Sequence, residues 1–217
     1  LTARDTTQAR LVNTGELAAD RTGTLELGPA STTTVQLDPT DESTSVDVNV
    51  QPRSQVELYG RTVSIGEGAT VRATAGSIDV VARTDTTLGI DDFSATPDVS
   101  RIFVRRGAVL DVSGAVATLP MERNSLRVEL RGSQLADFPV QRDGGLRGEA
   151  VYVDVRQSGT RADGTTWQGS PIGDLAGNVT TVARDLRERN LAGGSISMLA
   201  QGAVAIAEGA ILDVSGG

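Results

Sequence analysis

Three stretches of this sequence follow one pattern. Residues 63–76 read VSIGEGATVRATAG, residues 102–115 read IFVRRGAVLDVSGA, and residues 204–217 read VAIAEGAILDVSGG. Aligned on the glycine at the sixth position, each has two alternating apolar positions, a Gly-Ala corner, a second apolar pair and a corner of small residues. A match between residues 75–80 (AGSIDV) and residues 193–198 (GGSISM) extends the repeat to roughly twenty residues.

The repeats have the pattern of short β-strands joined by tight corners. Apolar residues alternate with period two, which is typical of a strand with one buried face. The Asn-Gly and Asp-Gly turns of two-residue hairpins are missing from the repeats. A coil of three short strands explains this spacing better than a hairpin meander, and successive coils would stack with their strands parallel. The sequence therefore predicts an all-β parallel β-helix, a solenoid.

The same alternation predicts which side chains fill the core. Aromatic residues make up only 3 % of the chain, so we expect a thin core built from layers of aliphatic side chains instead of large rings. The side chains predicted to point inward are those of Val63, Ile65, Val71, Ile78, Val80, Val109, Val204, Ile206 and Ile211.

The composition excludes several kinds of chemistry. The 217 residues carry 20 basic and 28 acidic side chains, a net charge of −8, and the sequence contains no lysine, histidine or cysteine. A thiol nucleophile, a Schiff-base lysine, an imidazole metal site and a Ser-His-Asp triad are thereby excluded. The acidic balance argues against nucleic-acid binding, and no apolar run is long enough for membrane insertion. We expect no enzyme, no cofactor and no metal site.

The repeat pattern predicts three regions. Residues 1–115 are expected to form β-helix coils, residues 116–192 an irregular extra-helical excursion packed on the solenoid, and residues 193–217 a coil that continues beyond the fragment. Within the excursion, Asp163-Gly164 predicts a hairpin turn between residues 152–155 and 165–167. Residues 181–190 are the only stretch with the pattern of a short helix.

Candidate ligand contacts lie in this excursion, because an irregular segment can form a pocket that regular coils cannot. Tyr152 and Trp167 are aromatic residues that could stack on a sugar face, and Arg142 and Arg147 lie in a neighbouring Gly-rich loop. The competing interpretation is that Tyr152 and Trp167 pin the excursion onto the solenoid.

Two sets of aspartates are candidate sites. Asp111 and Asp213 occupy equivalent positions before a Val-Ser-Gly corner, where an aspartate caps the turn by accepting backbone hydrogen bonds. In β-helix polysaccharide enzymes such residues act as acid, base or metal ligand, but recurrence at a repeat position favours the structural role. Asp91 and Asp92 lack the spacing of a calcium loop and are interpreted as a solvated acidic loop.

Several of these motifs resemble one protein family. Residues 194–196 (GSI) and 212–217 (LDVSGG) are similar to coils of filamentous-haemagglutinin-like exoproteins, the large substrates of two-partner secretion in Gram-negative bacteria. Residues 138–148 (FPVQRDGGLRG), 151–156 (VYVDVR) and 162–167 (ADGTTW) resemble a segment that recurs in one branch of that family. The resemblance implies a right-handed β-helix, export across the outer membrane, and adhesion or the display of an effector region; it carries over no catalytic residue.

The function expected from these features is that of a shaft or adhesive segment of a large secreted surface protein. Its partners would be the outer-membrane two-partner-secretion transporter, through a region not in this chain, and a host or bacterial surface glycan or protein. The alternative is a carbohydrate-active β-helix enzyme, a polysaccharide lyase or hydrolase, which the missing lysines and dispersed aspartates disfavour. A bare spacer without a ligand has the same sequence signature as an adhesin.

Overall fold

A computed structural model describes residues 1, 23–46, 49–83, 99–118, 121–136 and 138–217. By their internal contacts the residues divide into two compact units. The first, called here the repeat unit, comprises residues 1–39, 52–116 and 190–217. The second, called the insert unit, comprises residues 40–51 and 117–189. Asp91 and Asp92, interpreted above as an acidic loop, lie outside the described residues.

The described residues are mostly strand with little helix. The strands in chain order are β1 Thr24–Leu27, β2 Thr32–Val35, β3 Thr44–Val46, β4 Gln55–Gly60, β5 Thr62–Ile65, β6 Thr70–Ala73, β7 Ser77–Ala82, β8 Arg101–Val104, β9 Val109–Asp111, β10 Ser125–Glu129, β11 Ala150–Asp154, β12 Ser158–Thr160, β13 Thr166–Gln168, β14 Ala183–Asp185, β15 Ser195–Ala200, β16 Ala203–Ile206 and β17 Ile211–Asp213. The helical segments are α1 Pro139–Arg142, α2 Ala176–Val179 and the 3-10 turns Met121–Asn124 and Glu188–Asn190. No helix among these residues has the length and apolar character needed to cross a membrane.

Three parallel sheets form the repeat unit. Their strand orders are β4-β7-β15, β1-β5-β8-β16 and β2-β6-β9-β17, and every neighbouring pair is parallel. Along the chain the strands visit the three sheets in a fixed order: β4, β5, β6, then β7, β8, β9, then β15, β16, β17. Val63 pairs with Ile102, and Ile102 pairs with Val204, which is the alignment of the three repeats. The predicted parallel sheets are therefore confirmed.

The core of the repeat unit consists of small aliphatic side chains from all three sheets. Val63, Ile65, Val71, Ile78 and Val80 have no exposed surface, as the period-two pattern predicts. They pack in one cluster with buried valine, leucine, isoleucine and alanine residues of the neighbouring repeats. The alternation in sequence thus becomes an inward and an outward face of each strand.

The prediction that Val109 and Ile211 point into the core is wrong by one position in each strand. Val71 pairs with Leu110, and Leu110 pairs with Leu212, so these three share one face. Leu110 is 0 % exposed, whereas Val109 is only partly buried and Ile211 is 53 % exposed. The error arises because two apolar residues stand side by side in these strands, and alternation alone then allows either register.

Val204 and Ile206 are the other departure from the predicted core. They pair with the buried Ile102 and Val104, yet they are 40 % and 48 % exposed. Within the described part of the chain, no strand pairs with the outer edge of β16. These two side chains therefore lack the neighbour that covers the equivalent residues of the preceding strand.

The corners between strands depend on glycine and aspartate. Gly68, Gly107 and Gly209 have φ of +65°, +68° and +82°, in the left-handed region that favours glycine. Oδ1 of Asp111 accepts a hydrogen bond from the Ser113 backbone N–H at 2.9 Å, and Asp213 makes the same contact with Ser215 at 2.9 Å. The predicted turn-capping role of both aspartates is confirmed.

Antiparallel pairs build the insert unit. β10 pairs with β11, β12 with β13, and β3 with β14. A separate apolar cluster fills this unit, formed by Val128, Leu130, Leu135, Val153 and Leu175. The division of the chain at residues 115/116 and 192/193 stays a prediction; by contacts, residues 40–51 also belong to the insert unit.

Two sequence predictions for this region need correction. The hairpin turn at Asp163-Gly164 is present, but it joins β13 to β12, whereas β11 pairs with β10. The β12 sequence, Ser-Gly-Thr, has no apolar alternation, so its pairing is set by the turn and by its neighbours. Residues 181–190 contain β14 and a 3-10 turn instead of the predicted helix.

Candidate functional site

The β12–β13 hairpin positions the residues of the candidate site, and its turn is specified by Asp163-Gly164. Oδ1 of Asp163 accepts hydrogen bonds from the backbone N–H and the hydroxyl of Thr165, at 2.9 and 2.7 Å. Gly164 has φ of +87°, which favours glycine. The hydrogen bonds from the hydroxyl and the backbone N–H of Thr165 lower the pKa of Asp163 from its ordinary value, so the carboxylate is ionised at neutral pH.

Trp167 lies across the hairpin from Gly159. The two residues are partners in the antiparallel register, and the indole covers the glycine closely. A Cβ at position 159 would lie 2.7 Å from Cζ2 of Trp167, so only glycine fits beneath the ring. The indole is half-buried, with one part held against the hairpin backbone. The ring is thereby fixed in position by the strand pairing.

Arg161 ties the hairpin to the following loop. Its guanidinium donates to the carbonyl oxygens of Thr166, Pro171 and Gly173, at 3.3, 3.4 and 3.1 Å. It also lies over the ring of Phe138, 5.1 Å from the centroid, a cation–π distance. The positive charge is therefore held at one place by backbone acceptors and an aromatic face.

These groups surround an open cleft of about 900 Å³ within the insert unit. Its wall combines aromatic and aliphatic side chains with hydroxyl groups, one amide, two carboxylates and one guanidinium. The lining residues are Phe138, Ser158, Gly159, Thr160, Arg161, Asp163, Thr165, Thr166, Trp167, Gln168, Gly173, Asp174, Leu175 and Ala176. A volume of this size is within the range of small-molecule sites. The geometry is suited to binding a polar ligand that also has an apolar face.

The four predicted ligand contacts are not brought together. Trp167 lines the cleft. Tyr152, on β11, is 73 % exposed and lines a second, shallower pocket of about 450 Å³. Arg142 ends α1 and is exposed, and Arg147 is exposed and lies 3.4 Å from Asp143. Whether any of the four contacts a ligand stays a prediction.

The second pocket has its own ion pair. Arg156 Nη2 lies 2.6 Å from Oδ2 of Asp154, and the Arg156 backbone N–H donates to Oδ1 at 3.0 Å. The hydrogen bonds from the side chain and the backbone of Arg156 lower the pKa of Asp154 to about 2. The Asp154 carboxylate, which lines the same pocket as Tyr152, is thus paired with Arg156.

Sequence reasoning missed most of the cleft. Arg161 and Asp174 carried no motif, and Phe138 was noted only within the segment 138–148. Their proximity to Trp167 arises from folding of the chain onto the hairpin. Counting back from a two-residue Asp163-Gly164 turn would place Thr160 opposite Trp167. The loop is one residue longer than such a turn, so Gly159 is the partner of Trp167, and the sequence alone did not indicate it. Within the described residues no group of three or more acidic side chains could hold a metal ion.

No protein-family model, curated protein or solved structure matches this chain. Membership of the filamentous-haemagglutinin-like family, export, adhesion and the absence of enzymatic activity stay predictions from the sequence.

Proposed function

We propose that this chain is a shaft segment of a large secreted bacterial surface protein of the filamentous-haemagglutinin-like kind, and that its insert unit is the adhesive part. The observation that carries the proposal is the register of the repeats. Equivalent residues of successive repeats, such as Val63, Ile102 and Val204, are parallel partners on adjacent strands. This is the relation expected between coils of a right-handed parallel β-helix.

The proposed mechanism is geometric. Each repeat contributes one strand to each of the three sheets, and neighbouring strands lie about 4.8 Å apart. A stack of coils therefore lengthens by about that amount with every repeat, while its small aliphatic residues fill a continuous core. Such a shaft would carry a binding region away from the outer membrane without a hinge.

Binding is assigned to the insert unit because its surface is not repetitive. The repeat strands present alternating outward residues, whereas the insert unit has a cleft with an indole, two carboxylates and a guanidinium. The partner would be a glycan or protein on a host or bacterial surface. Secretion would depend on an outer-membrane two-partner-secretion transporter that engages a region outside this chain. The absence of cysteine is compatible with a protein that crosses the membrane unfolded.

The proposal is tested by locating the chain on the cell that produces it. Antibodies raised against residues 117–189 should label intact cells, and protease added outside should remove the label. Deletion of the cognate outer-membrane transporter should abolish the label while the protein accumulates inside. Labelling that requires cell lysis in the unmodified strain would overturn the proposal.

A further inference from the structure

We propose that the Trp167 cleft binds a neutral saccharide, a hexose unit of a glycan stacked on the indole with its hydroxyl groups held by Asp163 and Asp174. The inference deepens the proposed adhesive function by naming the ligand class. It rests on that function only for the role that binding would have on the cell, because saccharide binding itself can be tested on the isolated chain.

The first element of the site is a fixed aromatic plane. Trp167 is backed by Gly159, and the closest approach between position 159 and the ring leaves no room for rotation into the hairpin. The ring also lines the cleft and keeps part of its surface exposed. One face of a pyranose ring presents C–H groups with weak positive character, which pack well on the negative face of an indole. A rigid plane gives this stacking at low entropic cost.

The second element is a pair of carboxylates, each with one oxygen already engaged. Oδ1 of Asp163 accepts from Thr165, and Oδ1 of Asp174 accepts from the Ala176 backbone N–H at 3.1 Å. Each of these hydrogen bonds is accepted by Oδ1. The turns therefore orient both carboxylates and leave one acceptor on each, and ionised acceptors make strong hydrogen bonds to hydroxyl groups.

The charges of the cleft disfavour an anionic ligand. Two carboxylates line it, and the chain has a net charge of −8, so a sulfated or uronate-rich glycan is repelled. The guanidinium of Arg161 is held over Phe138 and donates to backbone carbonyl oxygens, so the one positive charge of the cleft is already engaged. Hydroxyl groups, which donate and accept, satisfy carboxylates, threonine hydroxyls and the guanidinium together. A neutral polyhydroxylated ligand is the class that pairs with all of these.

The sole tryptophan makes the test specific to this site, because all indole fluorescence comes from position 167. The whole chain is titrated with neutral oligosaccharides built from glucose, galactose, mannose or N-acetylglucosamine, and separately with sulfated oligosaccharides. Binding is followed by tryptophan emission and by saturation-transfer NMR on the sugar. At least one neutral oligosaccharide should give a saturable signal below about 10 mM, and the sulfated set should bind less tightly.

Matched variants separate binding from folding. Asp163→Asn and Asp174→Asn keep an oxygen acceptor for the turn but remove the charge, so each should weaken binding by about tenfold with unchanged circular dichroism. Asp143→Asn, at an exposed aspartate outside the cleft, should leave the affinity unchanged. Trp167→Phe keeps an aromatic ring and should weaken the NMR signal without unfolding the chain.

Three results would overturn the proposal: no saturable signal from any neutral oligosaccharide by both methods, a higher affinity for the sulfated set, or undiminished binding by the Asp163→Asn/Asp174→Asn double variant. None of these results would change the outcome of the surface-labelling experiment, which tests the proposed shaft function. A chain that labels intact cells but ignores neutral sugars would refute the saccharide site alone.

Discussion

Arg72 and Asp111 are partners on adjacent parallel strands and form an ion pair across them. Nε and Nη2 of Arg72 both lie 2.7 Å from Oδ2 of Asp111, while Oδ1 of the same carboxylate accepts the Ser113 backbone N–H at 2.9 Å. One side chain therefore caps a corner within its own repeat and binds the preceding repeat. The equivalent Asp213 makes the corner contact with Ser215.

We expect Asp111→Asn to destabilise the chain by about 1 kcal/mol at pH 7. The amide still accepts the Ser113 hydrogen bond but loses the charge that Arg72 pairs with, and the 48 % exposure of the Arg72 side chain keeps the effect modest. Urea unfolding followed by circular dichroism measures it. Asp213→Asn is the matched control, with an expected change below about 0.5 kcal/mol, since it alters a corner contact only. Equal losses in both variants would refute a contribution from the ion pair.

The stability gained from Asp111 should disappear in acid. Burial alone would raise the pKa of Asp111, but hydrogen bonds from Ser113 and the charge and hydrogen bond of Arg72 outweigh it and lower the pKa below the ordinary value of 3.8. The unfolded chain therefore binds a proton first as the pH falls, and the stabilisation is present above about pH 4 and lost below it. Urea midpoints should differ between the parent and Asp111→Asn from pH 7 to 5 and converge towards pH 2. A gap that persists at pH 2 contradicts this.

Leu110→Asp and Val109→Asp test the corrected register. Leu110 is fully buried, so a carboxylate there has no route to water and should cost more than about 3 kcal/mol, which unfolds neighbouring repeats together. Val109 points to the other face of β9 and should tolerate the same change at about 1 kcal/mol. Melting temperatures of the two variants are measured by circular dichroism. A larger loss of stability for Val109→Asp than for Leu110→Asp would show that Val109 is the inward residue. Ile206→Asp, at an exposed edge, should also be mild.

Gly159→Ala should displace the indole of Trp167. The added methyl group would lie 2.7 Å from the ring, so the tryptophan must move outwards, with a red-shifted emission and a loss of about 1–3 kcal/mol. Gly145→Ala is the control, because an added Cβ there meets no atom within 4 Å. Fluorescence spectra and iodide quenching report the position of the ring. Identical spectra for Gly159→Ala and the parent would show that the ring does not lie over this glycine.

The strands of the repeats were predictable because neighbouring residues in the sequence determine them. Alternation with period two placed Val63 and Ile65 inside, and the Gly-Ala corners fixed where each strand ends. Prediction failed where that signal is ambiguous, as at Val109 and Leu110, two adjacent apolar residues. It also failed where only tertiary contacts define a strand, as in β12.

The candidate site was predictable only at the Asp163-Gly164 turn and at Trp167, which is the sole tryptophan of the chain. Arg161 and Asp174 are ordinary charged residues in sequence, and their place in the cleft depends on a loop folding back onto the hairpin. Tyr152 is equally conspicuous in sequence but lines a different pocket, because β11 pairs with β10 instead of β12. Long-range strand pairing decides which aromatic residue lines the cleft.

Equivalent strands of successive repeats pair in parallel, and spin-label distances test most directly our proposal that they are coils of one β-helix. Glu26, Ser64 and Ala205 lie on the outward side of one sheet, in register on its first, second and fourth strands. The chain has no cysteine, so pairs of introduced cysteines can be labelled specifically.

At a strand spacing of about 4.8 Å, the backbone separation should be about 10 Å between positions 64 and 205 and about 15 Å between positions 26 and 205. Dipolar electron paramagnetic resonance should show this stepwise increase. The distance between the two labels should stay short for both pairs. A separation above about 30 Å between positions 26 and 205, or a shorter distance for that pair than for 64 and 205, would contradict the stacked-coil account.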